Sequence, residues 1–206
     1  MAGRSRRLLQ GDRSRDEILD AASRMMSERG YEGTSVADIA RESGLPNSSI
    51  YWHFNSKAGI LAAVMERGAE KFFESMRLPD ESGTTTPAEF LHWALQRSSD
   101  SITAHPEFLR LFVVLLLSNS DPDIVEIVQR VRGRGSASLH QLIERAFRDT
   151  GAATEIADAL TPYALAVFDG AFLASQADAA ISHSGLLDRL ADSLAAQGHD
   201  LLSQAH

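Results

Sequence analysis

Along the 206-residue chain, apolar residues recur at helical spacing, and the interruptions between them read as turns. Within residues 14–29, Ile18, Leu19, Ala22, Met25 and Met26 line one helix face, and Gly30 follows as a C-terminal stop. The next stretch, GTSVADIARESG, sets Ser35 three residues before Asp38, a capping-box spacing with Asp in the usual Glu or Gln place. Val36, Ile39 and Ala40 form the expected buried stripe of this short helix, which Gly44 ends. Ile50 and Phe54, four apart, face inward together from a second short helix. Ser56 is placed to cap a longer helix from Lys57 to Met76.

Residues 77–87, RLPDESGTTTP, break the pattern and mark a domain boundary. Beyond them the pattern predicts helices near 88–105, 107–119, 122–150, 153–177 and 185–204. Pro106 and Pro122 suit helix starts, Pro162 falls inside an apolar helical pattern as a candidate kink, and Gly133 and Gly135 weaken the helix around them. No strand pattern of useful length, internal repeat or low-complexity tract appears. The expected fold class is all-α, with a small N-terminal helical unit followed by a larger helical bundle. The expected division is a basic flexible arm over 1–12, a first unit over 13–73 and a second over 77–206.

One segment does not suit a purely structural helix. Residues 51–54 are Tyr51, Trp52, His53 and Phe54, with Asn47, Ser48 and Ser49 before them and Lys57 after. Successive helix positions point about 100° apart, so four consecutive rings cannot share one core. Two short helices joined by a Gly-containing turn, the second with outward polar and aromatic side chains, describe a helix-turn-helix at about 36–55. In that motif the second helix enters the DNA major groove with its N-terminal residues at base edges. Ser35, Asn47, Ser48, Ser49, Tyr51, Trp52, His53 and Lys57 are the candidate DNA contacts, Lys57 as a phosphate partner.

The net charge of −8 opposes this reading until its distribution is considered. Through Lys57 there are nine Lys and Arg against eight Asp and Glu, giving +1; the remainder carries 11 against 20, giving −9. Five Arg within the first 15 residues face only Asp12. Such asymmetry suits a basic end that meets a polyanion and an acidic body kept away from it. The absence of cysteine excludes disulfides, thiolate metal sites and cysteine nucleophiles. The N-terminus lacks the apolar stretch of a signal peptide, and the run LFVVLLL at 111–117 falls short of the roughly 20 residues a membrane span needs. A cytoplasmic protein without a membrane partner is expected.

The segment Ile18 to Val64 resembles the DNA-binding domain of the TetR family of bacterial transcriptional regulators. Ala21, Ala22, Gly30, Thr34, Ile39, Ala40, Gly44, Tyr51, Phe54 and Lys57 carry the likeness. The resemblance implies a three-helix DNA-binding unit and a homodimer formed through the last two long helices. It also implies a palindromic double-stranded DNA operator and a divergent C-terminal domain enclosing an effector pocket, with repression as the usual outcome. Pro46 departs from the family pattern, where a capping Ser is frequent, so Asn47 is expected to cap the second helix instead.

For a largely apolar, unidentified effector, the candidate pocket residues are Phe72, Met76, Phe90, Trp93, Phe108, Phe112, Leu116, Tyr163, Phe168 and Phe172. His92, His105, Asn119 or His140 would supply polar groups. No cofactor or metal is expected. Two other function classes compete. Glu89 and His92 form one Glu-x-x-His, the spacing of di-iron bundles, which need a second such pair and further inward carboxylates. A helical metalloenzyme would reveal itself by bound metal, and a pure interaction scaffold by lacking salt-sensitive duplex affinity.

Overall fold

The computed structural model describes residues 2–77 (side chains from Gly11), 86–117 and 122–204, and these are helical with no strands. The helices are α1 (Ala2–Arg29), α2 (Val36–Ser43), α3 (Asn47–Phe54), α4 (Lys57–Ser75), α5 (Pro87–Ala104), α6 (Pro106–Leu117), α7 (Pro122–Ala146), α8 (Ala153–Ala177) and α9 (His183–Gln204). Most of the break at 77–87, the end of the helix predicted to reach residue 119, and Asn119 itself lie outside the described residues. The arm is a correction: α1 begins at Ala2, so helix runs through positions expected to be a flexible tail. Residues 2–10 contain no proline, and their Arg, Leu and Gln are good helix formers, so the helix nucleated at Ile18 and Leu19 extends upstream.

Residues 1–70 and 105–131 form one compact unit. The predicted α1 face is its core: Ile18, Leu19 and Ala22 are wholly buried and Met25 and Met26 nearly so. Ile39, Ile50, Phe54, Ile60, Leu61 and Met65 join them from α2, α3 and α4. Each such large side chain contributes about 1.5–3 kcal/mol on burial. Val36 and Ala40 are only half-buried, because an eight-residue helix on one flank of α1 inserts a single residue, Ile39, deeply. Arg67 on α4 reaches back to α1, 2.7 Å from Asp20 and 3.7 Å from Asp16. The segment 105–131 had been expected within the second unit. It groups here because α6 packs on α1, and because Phe108 lies against Gly68 so closely that a Cβ there would approach the ring to 2.5 Å.

Residues 71–104 and 132–206 form the second unit. Here α5 and α8 pack against α9. Leu91, Ala94 and Leu95 face Leu187, Leu190, Ala191 and Leu194, with Ile156, Ala157, Leu160 and Ala164 closing the core. Small residues at these seams permit close helix approach. At Gly198 the approach is closest, since any Cβ would enter the fully buried Phe147 ring. By length and composition α8 could cross a membrane, yet its deeply buried side chains belong to this core. Pro162 sits within its continuous helix.

The Glu-x-x-His pair dissolves into two ordinary roles. Glu89 and Thr86 form a reciprocal capping box at the start of α5. His92 bridges to α9, with Nε2 2.8 Å from Asp192 and Nδ1 3.4 Å from Asp188, where Gln96 also donates to Asp188. Among the described residues no group of three or more ligating side chains could hold a metal. The hydrogen bond to Asp192 leads in raising the His92 pKa, Asp188 adds to it, and burial opposes both. A histidine pKa raised on folding stabilises fully below its unfolded value of about 6.5, and that contribution fades as pH climbs through the folded value. Urea unfolding should therefore show wild-type stability falling, relative to His92→Gln, as pH rises above about 6.5. Parallel pH profiles for the two proteins would contradict the bridge.

Candidate nucleic-acid interface

The helix-turn-helix is fixed first at the start of α2. Asp38 N–H donates to Ser35 Oγ at 3.1 Å, while Ser35 N–H and Oγ–H donate to the Asp38 carboxylate at 3.2 and 2.5 Å. The capping box read from the spacing is complete. The Ser35 hydrogen bond leads, followed by that from Arg41, in holding the Asp38 carboxyl below the usual carboxylate range. This geometry alters the role given to Ser35. Both its donors are committed to Asp38, so it secures α2 and has no spare N–H or O–H for a phosphate.

Between the helices, Gly44 adopts φ +69°, a left-handed conformation that costs glycine nothing, and its N–H donates to the Ala40 carbonyl. Behind α2, Thr34 is buried and donates to the Gly30 carbonyl at 3.0 Å, while Arg24 pairs with Glu42 to tie α1 to α2. The α3 N-cap is Pro46 without any side-chain cap. Asn47 does not cap it; as the first helical residue its side chain lies past the capping position, exposed. Asn55 ends α3 at φ +59°, and Ser56 Oγ accepts from Gly59 N–H at 3.0 Å to begin α4.

This framing divides α3 into two faces. Ile50 and Phe54 are buried; Asn47 and Tyr51, and Ser48 and Trp52, pair at four-residue spacing on the exposed side. Tyr51 is 51% and Trp52 77% exposed. Trp52 meets the His53 ring edge-on at 4.6 Å. Ser49 and His53 occupy the half-buried flank. Burial leads, with help from the Arg15 charge, in lowering the His53 pKa, against a smaller opposing effect of Asp12.

Three participants were not legible in the motif. Arg15 on α1 lies over the Phe54 ring, 5.5 Å from its centroid. Tyr31 lies under Lys57, whose Nζ is 4.0 Å from the ring centroid, and Glu32 stands 3.9 Å from the same ammonium. Lys57 is thus a partly buried cation held at the start of α4. Only its aromatic and acidic neighbours in the α1–α2 turn reveal this, and linear spacing does not.

The apolar pocket candidates divide between the two units. Phe108, Phe112 and Leu116 belong to the first unit, and Phe72, Met76, Phe90, Trp93, Tyr163, Phe168 and Phe172 to the second. Phe72, Phe90, Phe108, Phe112, Phe168 and Phe172 are buried core, whereas Leu116 and Tyr163 are about 40% exposed. In the second unit a cavity of about 290 Å³ has Met76 in its wall together with Phe73, which the sequence pattern did not single out. His92 is engaged by Asp188 and Asp192, and His140 lies 2.9 Å from Asp158.

Residues 18–64 match the family model described as "Bacterial regulatory proteins, tetR family". Over 53 residues the chain is 42% identical to the transcriptional regulator TtgR of Pseudomonas putida, covering 26% of this chain and 25% of that protein. Over 46 residues it is 44% identical to IcaR, the negative transcriptional regulator of the biofilm operon icaADBC in Staphylococcus aureus, covering 22% and 25%. The match thus spans about a quarter of the length of these curated relatives. A crystal structure of a tetR-family regulator from Streptomyces coelicolor shares the fold with a TM-score of 0.69 at 13% identity, covering 95% of this chain and 84% of the other. Over residues 18–64, its helix-turn-helix unit, the chain is thus similar to the tetR family of bacterial regulatory proteins.

Proposed function

We propose that this protein is a cytoplasmic, sequence-specific DNA-binding repressor. It acts as a homodimer on a palindromic operator and is released by a small-molecule effector. One observation carries the reading: α3 buries Ile50 and Phe54 while presenting Asn47, Ser48, Tyr51 and Trp52 together on one exposed face. An exposed Trp and Tyr beside short polar groups are costly to leave in water without a partner, and they suit a groove. The relatives matched are transcriptional regulators, and one is a negative regulator, which favours repression over catalysis or scaffolding.

Roles follow from chemistry. Asn47, Ser48 and Ser49 approach base edges; Tyr51 and Trp52 offer ring surface and polar tips to sugar and phosphate. Lys57 supplies a phosphate-pairing charge held by Tyr31. His53, its pKa lowered, stays neutral at pH 7 and serves as a hydrogen-bonding ring. Ser35 acts through α2. The dimer reading is supported by α8, where Ala159, Tyr163, Ala166, Gly170, Leu173 and Ala177 are all exposed at alternating four- and three-residue spacing. That is an apolar seam with the period of helix-on-helix packing, mostly of small residues. For the effector, α4 is the structural link, one unbroken helix from Lys57 in the first unit to Ser75 in the second. A ligand that shifts α4 changes how two recognition helices reach successive major grooves about 34–36 Å apart. By linkage, such a ligand binds operator-bound protein more weakly by the same factor by which it weakens DNA binding.

Two tests follow. Lys57→Ala and Tyr51→Ala should weaken binding to all duplexes similarly, with Lys57→Ala lowering the salt slope by about 1, while Asn47→Ala should cost about 1–3 kcal/mol at particular base pairs. An unchanged salt slope in Lys57→Ala would remove its phosphate role. Gly170→Arg, which sets a charge in the α8 seam, should convert a dimer to a folded monomer in sedimentation; a persisting dimer would place the interface elsewhere.

A further inference from the structure

Of the 20 Lys and Arg in the chain, only Lys57 and Lys71 are Lys. Two Arg pairs of the first unit are hydrogen-bonded, Arg24 standing 3.0 Å from Glu42 and Arg67 2.7 Å from Asp20. Lys57 and Glu32 stand 3.9 Å apart, beyond hydrogen-bond reach, so charge alone joins them. An ammonium is a point charge and lacks the planar fork that locks a guanidinium onto a carboxylate. The partners also differ in surroundings: the Lys57 side chain is 24% exposed and that of Glu32 90%. A loose, exposed pair of this kind contributes almost nothing to the fold.

The backbone nevertheless sets Glu32 in place. Gly30 turns the chain at φ +74°, Thr34 N–H donates to the Tyr31 carbonyl at 3.2 Å, and a Cβ at Gly33 would collide with the Arg29 carbonyl. This tight turn brings Tyr31 and Glu32 to the same ammonium, the ring centroid at 4.0 Å and the carboxylate at 3.9 Å. A phosphate arriving at Lys57 therefore meets a cation that already has an anionic neighbour. We infer that Glu32 competes with phosphate for the Lys57 ammonium, and so holds duplex affinity below what the α3 face and Lys57 would give without it. Tyr31 keeps the ammonium in place during the exchange, because its π-face attracts the cation without carrying a charge that phosphate must displace. Giving up an exposed ion pair lowers affinity by up to about fivefold for each DNA-binding unit. Phosphate is common to every sequence, so the competition lowers affinity and leaves base preference unaltered. Its consequence at DNA rests on the phosphate role proposed above for Lys57; the competition itself rests on the geometry of the pair.

Glu32→Gln removes the charge from an exposed side chain and should leave the fold intact, which helicity checks. In the full chain it should tighten binding to every duplex by about two- to fivefold for each unit engaged, with the order of sequence preference unchanged. In a Lys57→Ala background the same substitution should give no gain, since the two residues act through one contact. An equal gain in both backgrounds would reveal general repulsion of DNA by a surface carboxylate and would overturn the inference. Unchanged affinity in Glu32→Gln would overturn it too, and weakened affinity would make Glu32 a support for Lys57 instead of its competitor. A second arm needs no DNA. With lysine labelled selectively, the side-chain resonances of Lys57 and Lys71 are followed as inorganic phosphate is added at constant ionic strength, the exposed Lys71 serving as the reference for non-specific binding. Phosphate should bind at Lys57 more tightly in Glu32→Gln than in wild type; equal responses would defeat the competition. Tighter phosphate binding in a protein that engages no duplex would uphold the competition and defeat the DNA-binding reading.

Discussion

A helix of eight residues cannot stand alone in water, and four consecutive rings cannot share one of its faces. The geometry of α3 answers both constraints at once. Ile50 and Phe54 anchor it in the core built on Ile18, Leu19 and Met26, and the same rotation turns Tyr51 and Trp52 outward. The exposed face is thus a consequence of the buried one. A change of one residue in register would bury Tyr51 and expose Ile50, losing core and interface together.

Several local devices hold that register. The Ser35–Asp38 box starts α2, Gly44 at positive φ sets the turn, and Ser56 restarts the chain as α4. Arg24–Glu42 and Arg67–Asp20 then pin α2 and α4 to α1. The ion pairs are exposed on at least one side, so each contributes little stability beside the apolar core. Their effect is directional, limiting how α2 and α4 slide on α1. Lys57 is also constrained, held by Tyr31 and Glu32 just after the turn that α3 leaves.

Much of this was legible in the sequence. Periodicity located α2 to α9 closely, because each has a clear apolar stripe and a Gly, Pro or Ser at its ends. The capping box and the inward pairing of Ile50 with Phe54 depend on fixed local spacing and so could be read directly. Three things could not. The α1 extension to Ala2 reflects propensity in a stretch without a buried stripe. The loss of the Asn47 cap depends on where Pro46 places the helix start, which spacing alone cannot decide. The cavity depends on three helices meeting: Phe73, Ser98 and Ser138 come from α4, α5 and α7, and aromatic content pointed instead to Phe90, Phe168 and Phe172, which fill the core.

The central claim is that the exposed face of α3 reads DNA as one half of a symmetric pair. Selection of bound duplexes from a random pool by the full-length protein tests it directly. The account predicts a recovered palindrome whose half-sites are centred about one helical turn, or a whole number of turns, apart. It further predicts that Asn47→Ala relaxes preference at matching positions in both halves. Recovery of no preferred sequence, or of a single site lacking two-fold symmetry, would contradict it.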